Sequence, residues 1–63
     1  MLKKLKIKII NEFDTQTEFA RKCGKTDNWL SRIITQRQKP TNKEKRLIAQ
    51  ELKIEDIENF LQD

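Results

Sequence analysis

Residues 16–35 read QTEFARKCGKTDNWLSRIIT, and the spacing within this run decides the fold. Phe19, Ala20 and Cys23 recur as one face of a helix from about Gln16 to Cys23. Thr15 before it and Glu18 three residues later carry the pattern of a capping box. Gly24 follows, the residue type that ends a helix in the left-handed region at least cost. After Lys25, Thr26 is again an N-cap, so Asp27 to about Thr35 is predicted as the next helix, with Leu30 and Ile33 turned inward and Ile34 beside them. Counted from Gln16, Ala20 stands four residues on, where two crossing helices need a small side chain. Gly24 is eight on, in the turn, and Leu30 and Ile33, fourteen and seventeen on, seat the second helix against the first. Two helices joined by a Gly-containing turn can be many things, but a run of about twenty residues meeting all of these constraints is a specific signal for a helix-turn-helix.

The flanks read as helices too. Leu2, Leu5, Ile9 and Phe13 form one face of a helix from about Lys3 to Phe13, with Ile10 beside them. Lys3, Lys4, Lys6 and Lys8 point mostly away, and Ile7 does not fit the stripe. Asp14 and Thr15 supply its stop and the next cap. Downstream, Pro40 ends the polar, basic segment 36–39. Thr41 and Glu44 form a second capping box, opening a helix to about Leu52 with Leu47, Ile48 and Leu52 inward. A last short helix, about Glu55 to Leu61, offers Ile57, Phe60 and Leu61, with Ile54 just before it. The expectation is an all-α bundle of about five short helices, one domain over residues 1–63, without strands.

Composition narrows the chemistry. With one cysteine and no histidine, neither an internal disulfide nor a Cys/His zinc site can form. No nucleophile motif, embedded carboxylate pair or Gly-rich phosphate loop is present, so no catalysis and no cofactor are expected. Apolar residues never run long enough to span a bilayer, and the lysine-interrupted N-terminus is no secretory signal, so a cytoplasmic protein is expected. Charge is unevenly spread. Residues 21–46 carry nine cationic side chains against Asp27 and Glu44 only, a balance of +7, whereas residues 47–63 carry Lys53 against five carboxylates, or −4. A basic centre with an acidic tail points to a polyanion met by the middle of the chain.

The run TQTEFARKCGKTDNWLSRI (15–33) resembles the Cro/CI-type repressor family, the xenobiotic-response-element-like helix-turn-helix proteins of phages and bacteria. QRQKPT (36–41) is similar to that family's basic, Pro-containing loop, and LIAQELKI (47–54) to its fourth helix. The resemblance spans roughly residues 5–61 and implies a lambda-repressor-like domain that binds double-stranded DNA. Three positions depart from it. Lys25 stands where a small apolar residue is usual, with only its stem to cover the core, and Ile34 and Gln36 replace an acidic residue and a glycine near the end of the recognition helix.

By this resemblance Gln16 anchors to a phosphate, helped by the positive end of its helix. Base edges would be read by Thr26, Asp27, Asn28, Ser31 and Arg32, with Trp29 flanking. The chemistry agrees, since Asn bonds adenine through two atoms, Arg grips guanine likewise and Asp accepts from cytosine. Arg37, Gln38, Lys39 and Lys43 would meet phosphates. Several of these positions also have ordinary structural uses. Asp27 suits the first turn of any helix, Trp29 suits packing, and Cys23 suits a small buried site. Arg32 has no acidic residue three or four positions away and is freer to act.

The expected function is a sequence-specific transcriptional regulator, a Cro-like repressor of phage or mobile-element type. It would bind an operator as a homodimer on two half-sites, with no small-molecule ligand. The alternative is a protein-interaction module, such as an antitoxin or repressor modulator, motivated by Trp29, Ile34 and the apolar tail as exposed groups.

Overall fold

Leu2, Leu5 and Ile9 are fully inward while Ile7, out of step with them, is 60% exposed, so the three-and-four spacing of the first segment has become a helix with one buried face. The computed structural model describes residues 1–62, and among them are five helices and no strand. They are α1 (Lys3–Phe13), α2 (Gln16–Lys22), α3 (Asp27–Ile34), α4 (Asn42–Leu52) and α5 (Ile57–Phe60). α2 packs most extensively on α1 and α3, while α4 closes on α1 and carries α5. The buried apolar residues form one cluster, with Phe13, Leu47, Ile54, Ile57, Phe60 and Leu61 half-buried around it. The all-helical expectation holds. Ile10, expected beside the stripe, is at its solvent edge.

Three helices end the same way. After α2, Gly24 is left-handed (φ 71°), its N–H donates to the Arg21 carbonyl and that of Lys25 to the Ala20 carbonyl. After α3, Gln36 takes that conformation (φ 65°), with its N–H on Ile33 and that of Arg37 on Arg32. After α4 it is Lys53 (φ 56°), bonded to Gln50, with Ile54 N–H on Ala49. These paired bonds are the Schellman motif, which satisfies carbonyls a helix end leaves open. Only the first uses glycine. Gln36 therefore answers the question its sequence position raised: the end of α3 keeps the left-handed turn without glycine.

α1 ends differently. Asp14 has φ 67°, and Thr15 N–H donates to the Phe13 carbonyl at 2.7 Å, closing a three-residue γ-turn. The sharp reversal brings the Phe13 ring edge-on to Phe19, with centroids 4.9 Å apart.

Two expected details are corrected. Thr15 accepts from Glu18 N–H, but the Glu18 carboxylate turns to Arg21 at 3.3 Å, so only half of that capping box forms. The exposed arginine one turn on competes for the side chain. α5 is shorter than expected, because Asp56 takes the Asn59 N–H and starts the helix at Ile57. The Thr41–Glu44 box forms in full.

Candidate nucleic-acid interface

α3 sorts its residues by face. Leu30 and Ile33 are fully buried, and Ile34 and Trp29 nearly so, at 2% and 6% exposure. Thr26 starts the helix by accepting Trp29 N–H at 3.1 Å. The remaining side chains, Asp27, Asn28, Ser31 and Arg32, are exposed, as is Thr26 itself. Trp29 is a packing residue whose indole N–H donates to Glu44 Oε2 at 2.8 Å. With Trp29 and Ile34 buried, they are not the exposed apolar groups that motivated an interaction module.

Asn28, Ser31, Arg32, Thr35 and Arg37 line one open depression along the outer edge of α3. Asn28, Ser31 and Arg32 were expected together, and Arg37 joins them, its N–H donating to the Arg32 carbonyl at 2.9 Å. Thr35 was missed. Its signal was available, since it lies seven residues after Asn28 and four after Ser31, on one helical stripe. Its hydroxyl donates to the Ser31 carbonyl at 2.8 Å, leaving the oxygen free to accept. Thr26 and Asp27 lie at the N-terminal end of α3, outside this depression.

The expected phosphate contacts divide. Gln16 is half-buried at the first position of α2, and Lys43 is exposed in the first turn of α4. Gln38 and Lys39 instead line a second groove with Leu2, Ile33, Pro40 and the Lys45–Glu58 ion pair. Gln36 lines that groove too, so Arg37 faces the α3 depression from between residues that face the other way, although the N–H groups of Arg37 and Gln38 both donate to the Arg32 carbonyl.

Pairing decides which charges are spoken for. Arg21 bonds Glu18, Lys45 bonds Glu58 at 2.8 Å and Lys25 lies 3.8 Å from Glu44. Among the described residues, Lys22, Arg32, Arg37, Lys39, Lys43 and Arg46 make no ion pair. Lys25, expected to cover the core with its stem, places its ammonium 5.8 Å from the centre of the Trp29 ring. Asp27 is the sole carboxylate of α3, at the end where the helix dipole favours it.

Among the described residues, Glu44 and Cys23 are displaced from their ordinary values. The Thr41 N–H, helped by the Trp29 indole and Lys25 and opposed by burial, holds the Glu44 carboxyl below the usual range. Burial, with the nearby Glu51 carboxylate, pushes the Cys23 thiol up to about 11 against a smaller pull from Lys25. At neutral pH Cys23 is thus a protonated, buried group.

Among the described residues no cluster of three potential metal ligands occurs, and no helix is long and apolar enough to cross a membrane. The chain matches no family model, no curated protein and no solved structure. Geometry and charge therefore carry the functional argument.

Proposed function

We propose that this chain is a sequence-specific double-stranded-DNA-binding transcriptional regulator, a Cro-like repressor acting in the cytoplasm. In this reading α3 enters the major groove and two copies occupy half-sites about one helical turn apart. One observation carries it: the outer edge of α3 presents Asn28, Ser31, Arg32 and Thr35 with Arg37, and both arginines lack an acidic partner among the described residues. The Asn28 amide and the Arg32 guanidinium on one exposed helix edge can each bond a base edge through two atoms, while Arg37 beside them and the unpaired cations beyond suit phosphates. The helix-turn-helix spacing of residues 16–33 and its Cro/CI-type resemblance support the same reading. Of the three features behind the interaction-module alternative, Trp29 and Ile34 are buried and the half-buried apolar tail remains.

Selection of bound sequences from random duplex DNA tests the proposal. A regulator of this kind should enrich one motif and bind it at least about a thousandfold more tightly than random duplex. Absence of salt-sensitive binding to any duplex would refute it.

A further inference from the structure

The carboxylate of Glu44 serves three segments at once. Its Oε1 accepts Thr41 N–H at 2.9 Å, completing the box that starts α4. Its Oε2 accepts the Trp29 indole N–H at 2.8 Å, fifteen residues away on α3. Lys25, in the turn before α3, lies 3.8 Å from the same oxygen and 5.8 Å from the Trp29 ring centre. The Glu44 side chain is 15% exposed. Trp29 is therefore held from two sides, by its backbone N–H on Thr26 and by its indole on Glu44.

α3 has only eight residues, and its inner side chains Leu30, Ile33 and Ile34 make apolar contacts. Such contacts are non-directional, so they resist withdrawal of the helix better than rotation about its axis. A short hydrogen bond from the flank of the helix to another element does resist rotation. Asn28 precedes Trp29 in the chain and Arg32 follows it by three residues, so turning residue 29 turns both. On a helix whose side chains reach roughly 6 Å from the axis, a rotation of about 15° moves their tips about 1.5 Å, enough to break a two-point base contact.

We infer that Glu44 is a positioning residue for the reading edge of α3: through the Trp29 indole it sets the rotation of the helix and hence the direction of Asn28 and Arg32. The inference rests on the reading of α3 as the DNA-reading helix. Glu44 touches no base in this scheme. Its effect falls on selectivity, while the phosphate contacts and their salt dependence stay as they are.

The test uses Trp29→Phe, which keeps an aromatic ring in the core and leaves the Thr41–Glu44 box intact while removing the indole N–H. Two probes are used, the duplex recovered from random selection and a random-sequence duplex of equal length. With helical content confirmed by circular dichroism, affinity for the recovered duplex should fall about tenfold, within the range one bidentate base contact carries. Affinity for the random duplex and the salt slope should not change. Glu44→Ala, which removes the acceptor of the indole N–H altogether, should reproduce this loss and is the variant read if Trp29→Phe does not fold. A merely structural bond would lower the melting temperature and leave the selectivity of the folded protein as it was, and that result overturns the inference. If the unaltered chain binds a selected duplex and both variants keep its preference, only the positioning role falls. If the unaltered chain binds no duplex, the DNA reading falls and takes this role with it.

Discussion

Replacing Lys39 with alanine should weaken binding to every duplex alike and flatten its dependence on salt. Of the five residues assigned to phosphates, Arg37, Lys39 and Lys43 are cations, and all three are exposed without an ion pair among the described residues. With each neutralised phosphate contributing about −0.9 to the slope of log K against log salt, the three give about −2.7 per chain. A rise from about 50 to about 200 mM salt then costs roughly 40-fold per chain, and on the order of a thousandfold for a two-chain complex. Without Lys39 the slope per chain drops to about −1.8, and the same rise costs only about 12-fold. Lys39 lines a groove apart from the Asn28–Arg37 depression, so sequence preference should not change. Fluorescence anisotropy of labelled duplexes across a salt series reads both quantities. Lys45→Ala is the contrast, because that ammonium is held 2.8 Å from Glu58 and should move the slope little. An unchanged slope for Lys39→Ala, or a loss confined to one base position, would refute the assignment.

Arg32→Ala should cost about 1–3 kcal/mol in binding the selected duplex with no change in melting temperature, and unchanged affinity in a gel-shift titration would contradict its role. Gly24→Ala should destabilise by about 1 kcal/mol through backbone strain alone. The space is open there, since no atom lies within 4 Å of the added Cβ, while φ stays at 71°. Lys53→Gly should act oppositely, gaining up to about 1 kcal/mol by relieving its left-handed strain, against some added freedom in the unfolded chain. In a domain of this size about 1 kcal/mol corresponds to roughly 4–8 °C, so thermal melts followed by circular dichroism resolve both, and the wrong sign in either refutes the account. Glu44 has a folded-state pKa below its ordinary value, so it stabilises the fold above the ordinary carboxyl range, and that contribution is lost as pH falls through the folded value. Denaturation followed by Trp29 fluorescence should show stability dropping on acidification below about pH 5, less steeply in Glu44→Gln. Equal acid limbs would show that Glu44 is not the group responsible.

The fold was legible where side-chain type and spacing alone determine the outcome. Leu5 and Ile9, Phe19 and Ala20, and Leu30 and Ile33 are buried as their helical intervals required. Gly24 announced its turn because glycine is the residue that marks one. Gln36 and Lys53 make the same turn silently, since at these positions the paired backbone bonds outweigh a strain that residue type does not advertise. Asp14 is similar: a helix stop was readable there, a γ-turn was not. The Glu18 side chain was misplaced for a related reason. Which of two partners three residues away a glutamate takes depends on which is nearer in the folded chain, and Arg21 won over the Thr15 N–H.

The candidate site divides along the same line. Exposure of Asn28, Ser31 and Arg32 follows from the burial of Leu30 and Ile33 on a helix with a period of 3.6 residues, so that edge was readable. Thr35 lies on the same stripe, but at the end of the helix, where periodicity is the weakest guide to direction. The bond from Trp29 to Glu44 was beyond reach, because it joins residues fifteen apart whose meeting depends on where the loop between α3 and α4 delivers its chain. Arg37 and Lys39, two positions apart, also line different surfaces: Arg37 faces the α3 depression, while Gln36 and Gln38 on either side of it line the groove of Lys39 with Lys45 of α4 and Glu58 of α5. Selectivity and the Lys39 share of affinity would then be drawn from separate surfaces. This makes them separable by mutation, with Arg32 and Trp29 moving selectivity and Lys39 moving the salt slope.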